Sequence, residues 1–227
     1  MTGPPPLLWL STEDDPARLP DPASALAEPN GLLAAGGALT PKWLLAAYRR
    51  GIFPWFGPGQ PVLWWSPDPR AVIEPRRFRR SRSLGQSIRN RGYETAIDRD
   101  FGAVIAGCAA PRAGEPGTWI TASMRRAYQE LFRLGHAHSF ESWHGGELVG
   151  GLYGVRLGGV FFGESMFSRA RDSSKVALAR LVDWAQAEGV ELIDCQMPTP
   201  HLASLGAETV PRGEFLARLA ALVGAAR

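Results

Sequence analysis

Three polar residues stand where apolar strand sequence would otherwise continue. Glu164 follows the run Val160-Phe161-Phe162-Gly163, while Asp194 and Gln196 belong to Ile193-Asp194-Cys195-Gln196. Burying a carboxylate without a partner is costly or raises its pKa, so Glu164 needs a hydrogen-bond donor or a cationic ligand group. A structural ion pair would satisfy it equally well. Strand side chains alternate, so Asp194 and Gln196 are expected on one face, and two acids and an amide converge near the ends of neighbouring strands. Such a cluster can orient an amine and take its proton, the part a general base plays in acyl transfer. It contains no nucleophile: Ser165 and Ser168 lack a Gly-x-Ser-x-Gly elbow, and His136, His138, His144 and His201 show neither metal nor triad spacing. Direct attack of a substrate amine on an activated ester is therefore preferred over a covalent enzyme intermediate.

A second constellation is aromatic. Gly51-Ile52-Phe53-Pro54-Trp55-Phe56-Gly57-Pro58-Gly59 is followed by Trp64-Trp65-Ser66-Pro67-Asp68-Pro69-Arg70, and so many prolines exclude a regular helix. The rings either plug the core of a small domain or form a stacking platform for a base, worth about 1 to 3 kcal/mol per base.

The third is basic. Of 25 basic residues only Lys42 and Lys175 are lysines, and the formal charge of +3 is spread unevenly. Residues 71–133 carry twelve arginines and six acids, while the segments on either side are slightly acidic. Arg76, Arg77, Arg79, Arg80 and Arg82 crowd around Phe78, a density able to neutralise several backbone phosphates, although a solvated basic face reads the same way.

The elements that must carry these residues are well punctuated. Thr40 as cap, Pro41 at the first helical position and Gly51 beyond the end frame a helix. Mixed elements follow: a strand over 71–74, a helix over 83–91, a strand over 93–97, and helices over 101–109 and 121–134. Strands are expected over 138–144, 147–155 and 159–168, with Gly145-Gly146 and Leu157-Gly158 as hairpin connections. A helix from Ser173 or Ser174 to Ala187, a strand over 190–195, and two short helices started by Pro200 and Pro211 complete the chain. The proline-rich first forty residues read as loops and short elements. This order predicts an α+β fold with a mixed α/β sheet. A small N-terminal domain over 1–70 precedes an acyltransferase-like, N-acetyltransferase-type domain over 71–227.

At 227 residues and 45% hydrophobic, the composition is that of a globular protein of one large or two small domains; disorder, collagen and coiled coil are excluded. Cys108 and Cys195 lack metal-ligand spacing, the N-terminus lacks a signal-peptide pattern, and no long apolar stretch occurs. A reducing, cytoplasmic setting without membrane insertion is expected.

The ordered strings GIFPWF, WWSPDPR, GTWIT, LGHAHS, ELVGGLYGV, FFGESMFS, LIDCQ and HLASLGA resemble the leucyl/phenylalanyl-tRNA–protein transferases from about residue 29 to about residue 212. That resemblance implies transfer of Leu or Phe, and less well Met, from aminoacyl-tRNA to proteins beginning with Arg or Lys, creating a degradation signal for N-degron proteolysis. It implies Phe53, Trp55 and Trp119 around the tRNA 3′ adenosine, with Ser168 also in the aminoacyl-adenosine site. It also implies an apolar pocket of Leu152, Phe161, Met166 and Ile193, with Glu164 at its polar end near the donor amino group. Asp194 would be base or electrostatic partner of the attacking amine and Gln196 its relay. Leu181 is smaller than the aromatic side chain expected in that pocket. No metal or cofactor is implied, and a monomer is expected. The tRNA-backbone contacts Arg76, Arg77, Arg79 and Arg80 come from charge density, not from the resemblance. A coenzyme A-dependent acetyltransferase is the rival reading, but the loop 168–175 lacks the glycines that cradle pyrophosphate. A non-catalytic nucleic-acid module is disfavoured by the acidic cluster.

Overall fold

Thr40 caps the first helix through its hydroxyl, which accepts from the Trp43 amide, and Pro41 opens α1 (Pro41–Tyr48). The apolar stripe Trp43, Leu44, Ala47 and Tyr48 is buried and fixes how this helix lies. The computed structural model describes residues 7–111 and 118–224. Pro4 to Pro6, Gly117 of the GTWIT string and Arg227 lie outside the described residues.

The loop-like N-terminal segment contains two unanticipated strands, β1 (Leu8–Leu10) and β2 (Leu32–Gly36). With β3 (Phe53–Pro54) and β4 (Leu63–Trp65) they form a four-stranded sheet in the order β1-β2-β4-β3. The aromatic segment is in large part the expected core plug. Ile52, Phe53, Phe56 and Trp64 are buried, and Trp64 stacks on Trp43, whereas Trp55 remains 37% exposed.

The remaining chain supplies β5 (Arg70–Ile73), α2 (Arg82–Asn90), β6 (Glu94–Ile97), α3 (Phe101–Ala109), α4 (Ala122–Arg133), β7 (Ala137–His144), β8 (Glu147–Leu157) and β9 (Val160–Ser168). Then come α5 (Ser173–Ala187), β10 (Leu192–Gln196), α6 (Pro200–Ser204), β11 (Glu208–Val210) and α7 (Arg212–Gly224). The mixed sheet runs β11-β5-β10-β9-β8-β7-β6, with β10 parallel to β9 and the other neighbours antiparallel. The parallel pair needs a crossover, which α5 provides. One face packs α5 through Leu178, Leu181 and Val182 against Phe140, Phe161 and Ile193. The opposite face joins α3, α4, α7 and the small sheet in one continuous core containing Trp43, Trp64, Tyr128, Tyr153, Phe162, Leu192 and Phe215.

Some boundaries differ from expectation. The β7–β8 turn is Gly145-Gly146 as expected, both glycines at positive φ, but β8 reaches Leu157, which pairs with Val160. The connecting residues are therefore Gly158 and Gly159, not Leu157 and Gly158. The last helix is no short piece: α7 has 13 residues, two turns longer than α6 can be, and Phe215 and Leu219 anchor it in the core. β11 was not foreseen; three residues with two exposed side chains leave no clear alternation to read.

Candidate active site

The site arises where two neighbouring strands stop pairing. Along β9 and β10 the register runs Leu192 to Val160, Ile193 to Phe161 and Asp194 to Phe162, and then ends. Beyond it β9 remains paired only with β8, and β10 slips register against β5 between Asp194 and Gln196. The gap opens a cavity of about 380 Å³. It is lined by the apolar Leu152, Met166, Leu178, Leu181 and Ile193, by the aromatic Phe53, Trp55 and Trp119, and by Met197, Thr199, His201 and Leu202 around α6.

Glu164 reaches this cavity because of a bulge. Gly154 pairs with Gly163 and Tyr153 with Ser165, so Glu164 is the extra residue and has no partner across the ladder. The Tyr48 hydroxyl donates to its Oε1 at 2.7 Å and the Tyr128 hydroxyl to its Oε2 at 2.6 Å. Burial pushes the Glu164 carboxyl up to about 7, with the Asp194 charge adding to the rise and the tyrosine hydrogen bonds opposing it. Burial, then the Glu164 charge, holds the phenols of Tyr48, Tyr128 and Tyr153 well above their ordinary range. Among the described residues the buried Tyr153 hydroxyl has no hydrogen-bond partner.

Asp194 and Gln196 do not share a face as strand alternation would have it. The slip between them and a left-handed Gln196, at φ 58°, break the period. Gln196 lines the cavity, and its buried side-chain Nε2 has no partner among the described residues. Asp194 is fully buried beneath it and does not line the cavity. Arg70 Nε and Nη2 donate to Asp194 Oδ1 and Oδ2 at 2.8 and 2.7 Å, and the Gln196 amide donates to Oδ1 at 3.0 Å. Arg70 is itself fully buried; its Nη1 donates to the Gly51 carbonyl at 3.1 Å, and Phe53 and Phe215 lie 4.9 and 4.5 Å from its guanidinium carbon. Cys195, also at the cavity, is a neutral thiol, because burial and then the Asp194 charge push its pKa up.

The other anticipated residues divide. Phe53, Trp55, Trp119, Leu152, Glu164, Met166, Ile193 and Gln196 meet around the cavity. Phe161 is fully buried behind the wall, edge-on to Phe140. Ser168 stands at the far end of β9, where its hydroxyl donates to the Ala170 carbonyl and contacts Ser173 Oγ, both at 2.8 Å; it shapes the turn into α5 and not the cavity. Arg76, Arg77, Arg79 and Arg80 are exposed, but Arg77 pairs with Glu74 and Glu208, and Arg80 with Asp183. Reading by residue type missed Arg70 and the three tyrosines. The only local signal for Arg70 was a cation heading the apolar run Arg-Ala-Val-Ile, which needs an acid as much as Asp194 needs a base.

At the N-terminus of α5, where an acetyltransferase would hold pyrophosphate, the Asp172 carboxylate accepts from Ser87 and pairs with Lys175. A fixed negative charge there opposes phosphate.

The profile described as leucyl/phenylalanyl-tRNA protein transferase matches residues 72–220, and that of its N-terminal domain matches 37–68. The leucyl/phenylalanyl-tRNA–protein transferase of Azoarcus sp. (strain BH72) is 58% identical over 211 residues, covering 93% of this chain and 88% of that protein. The one from Chromohalobacter salexigens is 60% identical over 192 residues, 85% of this chain and 75% of the other. The chain belongs to the leucyl/phenylalanyl-tRNA–protein transferase family. It is a transferase of the aminoacyl-transferring kind. Among solved structures, the C-terminal domain of a putative lysylphosphatidylglycerol synthetase from Agrobacterium fabrum has a TM-score of 0.46 at 11% identity, covering 76% of this chain and 64% of that one. A GCN5-related N-acetyltransferase from Kribbella flavida has a TM-score of 0.42 at 12% identity, covering 75% and 61%. Among the described residues no helix is long and apolar enough to cross a membrane.

Proposed function

We propose that the protein moves Leu or Phe, and less well Met, from aminoacyl-tRNA to the N-terminal Arg or Lys of acceptor proteins in the cytoplasm, marking them for N-degron proteolysis. The observation that carries this reading is the cavity itself: an apolar recess with one carboxyl, Glu164, and three aromatic rings, Phe53, Trp55 and Trp119, in its lining. The donor side chain occupies the recess beside Leu152, Met166, Leu178, Leu181 and Ile193, where an unbranched Cβ fits and the branched Ile and Val crowd the wall. Glu164 meets the donor amino group. Phe53, Trp55 and Trp119 take the terminal adenosine, and Trp55 is suited to stacking because its exposed ring is braced by Trp65, 5.5 Å away.

The aminoacyl ester is already activated, so placing an amine beside it supplies much of the acceleration. The acceptor amine attacks the ester carbonyl, the bond to the ribose 3′ oxygen breaks, and the proton lost by the amine ends on that oxygen. Gln196, whose side-chain Nε2 has no partner among the described residues, is the side chain that hydrogen-bonds the reacting groups. Arg76, Arg77, Arg79 and Arg80 contact tRNA phosphates, Arg76 and Arg79 most directly, since neither makes an ion pair among the described residues. The chain acts as a monomer.

Labelled Phe-tRNA or Leu-tRNA incubated with an Arg-initiated peptide tests the reading. Label should pass into the peptide as an alkali-stable amide, and an Ala-initiated peptide should remain unlabelled. Absence of transfer under conditions in which an active relative works refutes it.

A further inference from the structure

Asp194 is placed where it does not meet an amine. A group that takes a proton must come within hydrogen-bond reach of it, yet Asp194 is fully buried, absent from the cavity wall, and engaged at both oxygens by Arg70. What Asp194 does touch, besides Arg70, is the backbone of Gln196. That bond holds a non-glycine residue in the left-handed region, a conformation that persists only where surrounding contacts impose it. The same conformation delivers the Gln196 side chain into the cavity.

Arg70 joins this turn to the other side of the site. Its guanidinium grips Asp194, caps the Gly51 carbonyl at the approach to β3, and lies against Phe53, which lines the cavity, and Phe215 of α7. Only a planar fork with donors on several edges and two open faces can make all these contacts together; a lysine has a single ammonium point. The isolated Arg70–Asp194 charge pair would be a doubtful source of stability. Its geometry is suited to registering three segments against one another.

We propose that Arg70 is a positioning residue of the transfer site, locking the adenosine platform and the Gln196 turn into one block, and that Asp194 works through this pair and not as the proton acceptor. The inference rests on the proposed aminoacyl transfer for its kinetic part, but its structural part is independent of it.

The test uses Arg70→Lys, which keeps the buried positive charge, and Asp194→Asn, which keeps the shape. Variants whose melting curves remain cooperative are assayed for Phe transfer, and the Gln196 amide proton is followed by NMR in the full chain. Arg70→Lys should lower kcat at least tenfold and move the Gln196 amide signal, because the Asp194 carboxylate loses its two-point hold. Asp194→Asn should lower the height of the pH–rate profile and leave its shape intact. If Arg70→Lys does not fold, the double variant Arg70→Met, Asp194→Leu removes both charges together and should fold with a displaced Gln196 signal and reduced kcat. A native kcat with an unmoved Gln196 signal in the folded Arg70 variant overturns the proposal, and so does loss of the acid limb of the profile in Asp194→Asn. Failure of the native protein to transfer refutes the functional reading alone, and the Gln196 signal then decides the role of Arg70.

Discussion

The hydroxyl oxygens of Tyr48 and Tyr128 lie 2.6 Å apart, and each also contacts a different oxygen of Glu164, at 2.7 and 2.6 Å. Two phenols supply two protons for three short contacts. Both are directed at the carboxyl, which burial nonetheless pushes up to about 7.

This sets a pH dependence of stability. In the unfolded chain Glu164 loses its proton near 4.5, whereas in the folded protein it keeps it to about 7. Between those values the unfolded state binds fewer protons, so stability falls as pH rises, and above about 7 the full cost is present. Glu164→Gln removes the titrating group. Relative to the native protein, the variant should gain about 1 to 3 kcal/mol between pH 4.5 and 8. Thermal melts at both pH values check this, and a difference that does not change with pH would show that folding leaves the Glu164 pKa alone.

The aromatic lining should govern donor affinity. Trp119→Ala and Trp55→Ala each remove a ring from the cavity wall, and stacking of about 1 to 3 kcal/mol corresponds to a rise in KM for Phe-tRNA of roughly 5- to 150-fold. Phenylalanine at either position should recover part of the loss. An unaltered KM would place the adenosine elsewhere.

Leu181 meets the apolar end of the cavity from α5 and is 1% exposed. Leu181→Phe fills space that a donor ring needs more than a donor isobutyl group does. The ratio of kcat/KM for Phe-tRNA over Leu-tRNA should fall about tenfold, within the range by which apolar pockets discriminate, while overpacking costs about 1 to 3 kcal/mol of stability. Parallel assays with the two donors decide it; a constant ratio would mean that the side chain binds away from α5.

The arginine cluster should not act as four equal charges. Arg77 and Arg80 already have acidic partners, so Arg76→Gln with Arg79→Gln should account for most of the loss in tRNA affinity. The slope of log K against log salt should become shallower by about 1 to 2. Filter binding over a salt series measures the slope, and an unchanged value would put the tRNA on another face.

What can be traced in the sequence alone is whatever depends on near neighbours. Thr40 and Pro41 mark the start of α1, Gly145 and Gly146 the β7–β8 turn, and the alternation of apolar residues the strands of the meander; each follows from local backbone sterics and side-chain period. The long motifs likewise carried the family, and the aromatic and apolar lining of the cavity came with them. The tertiary structure decided how the polar groups meet. Glu164 finds its tyrosines 116 and 36 residues away, and Asp194 finds Arg70 at a separation of 124. A local pattern holds no record of such partners. The alternation that places Asp194 and Gln196 together is undone by one slipped residue in β10, because a strand's side-chain period lasts only as long as its ladder does.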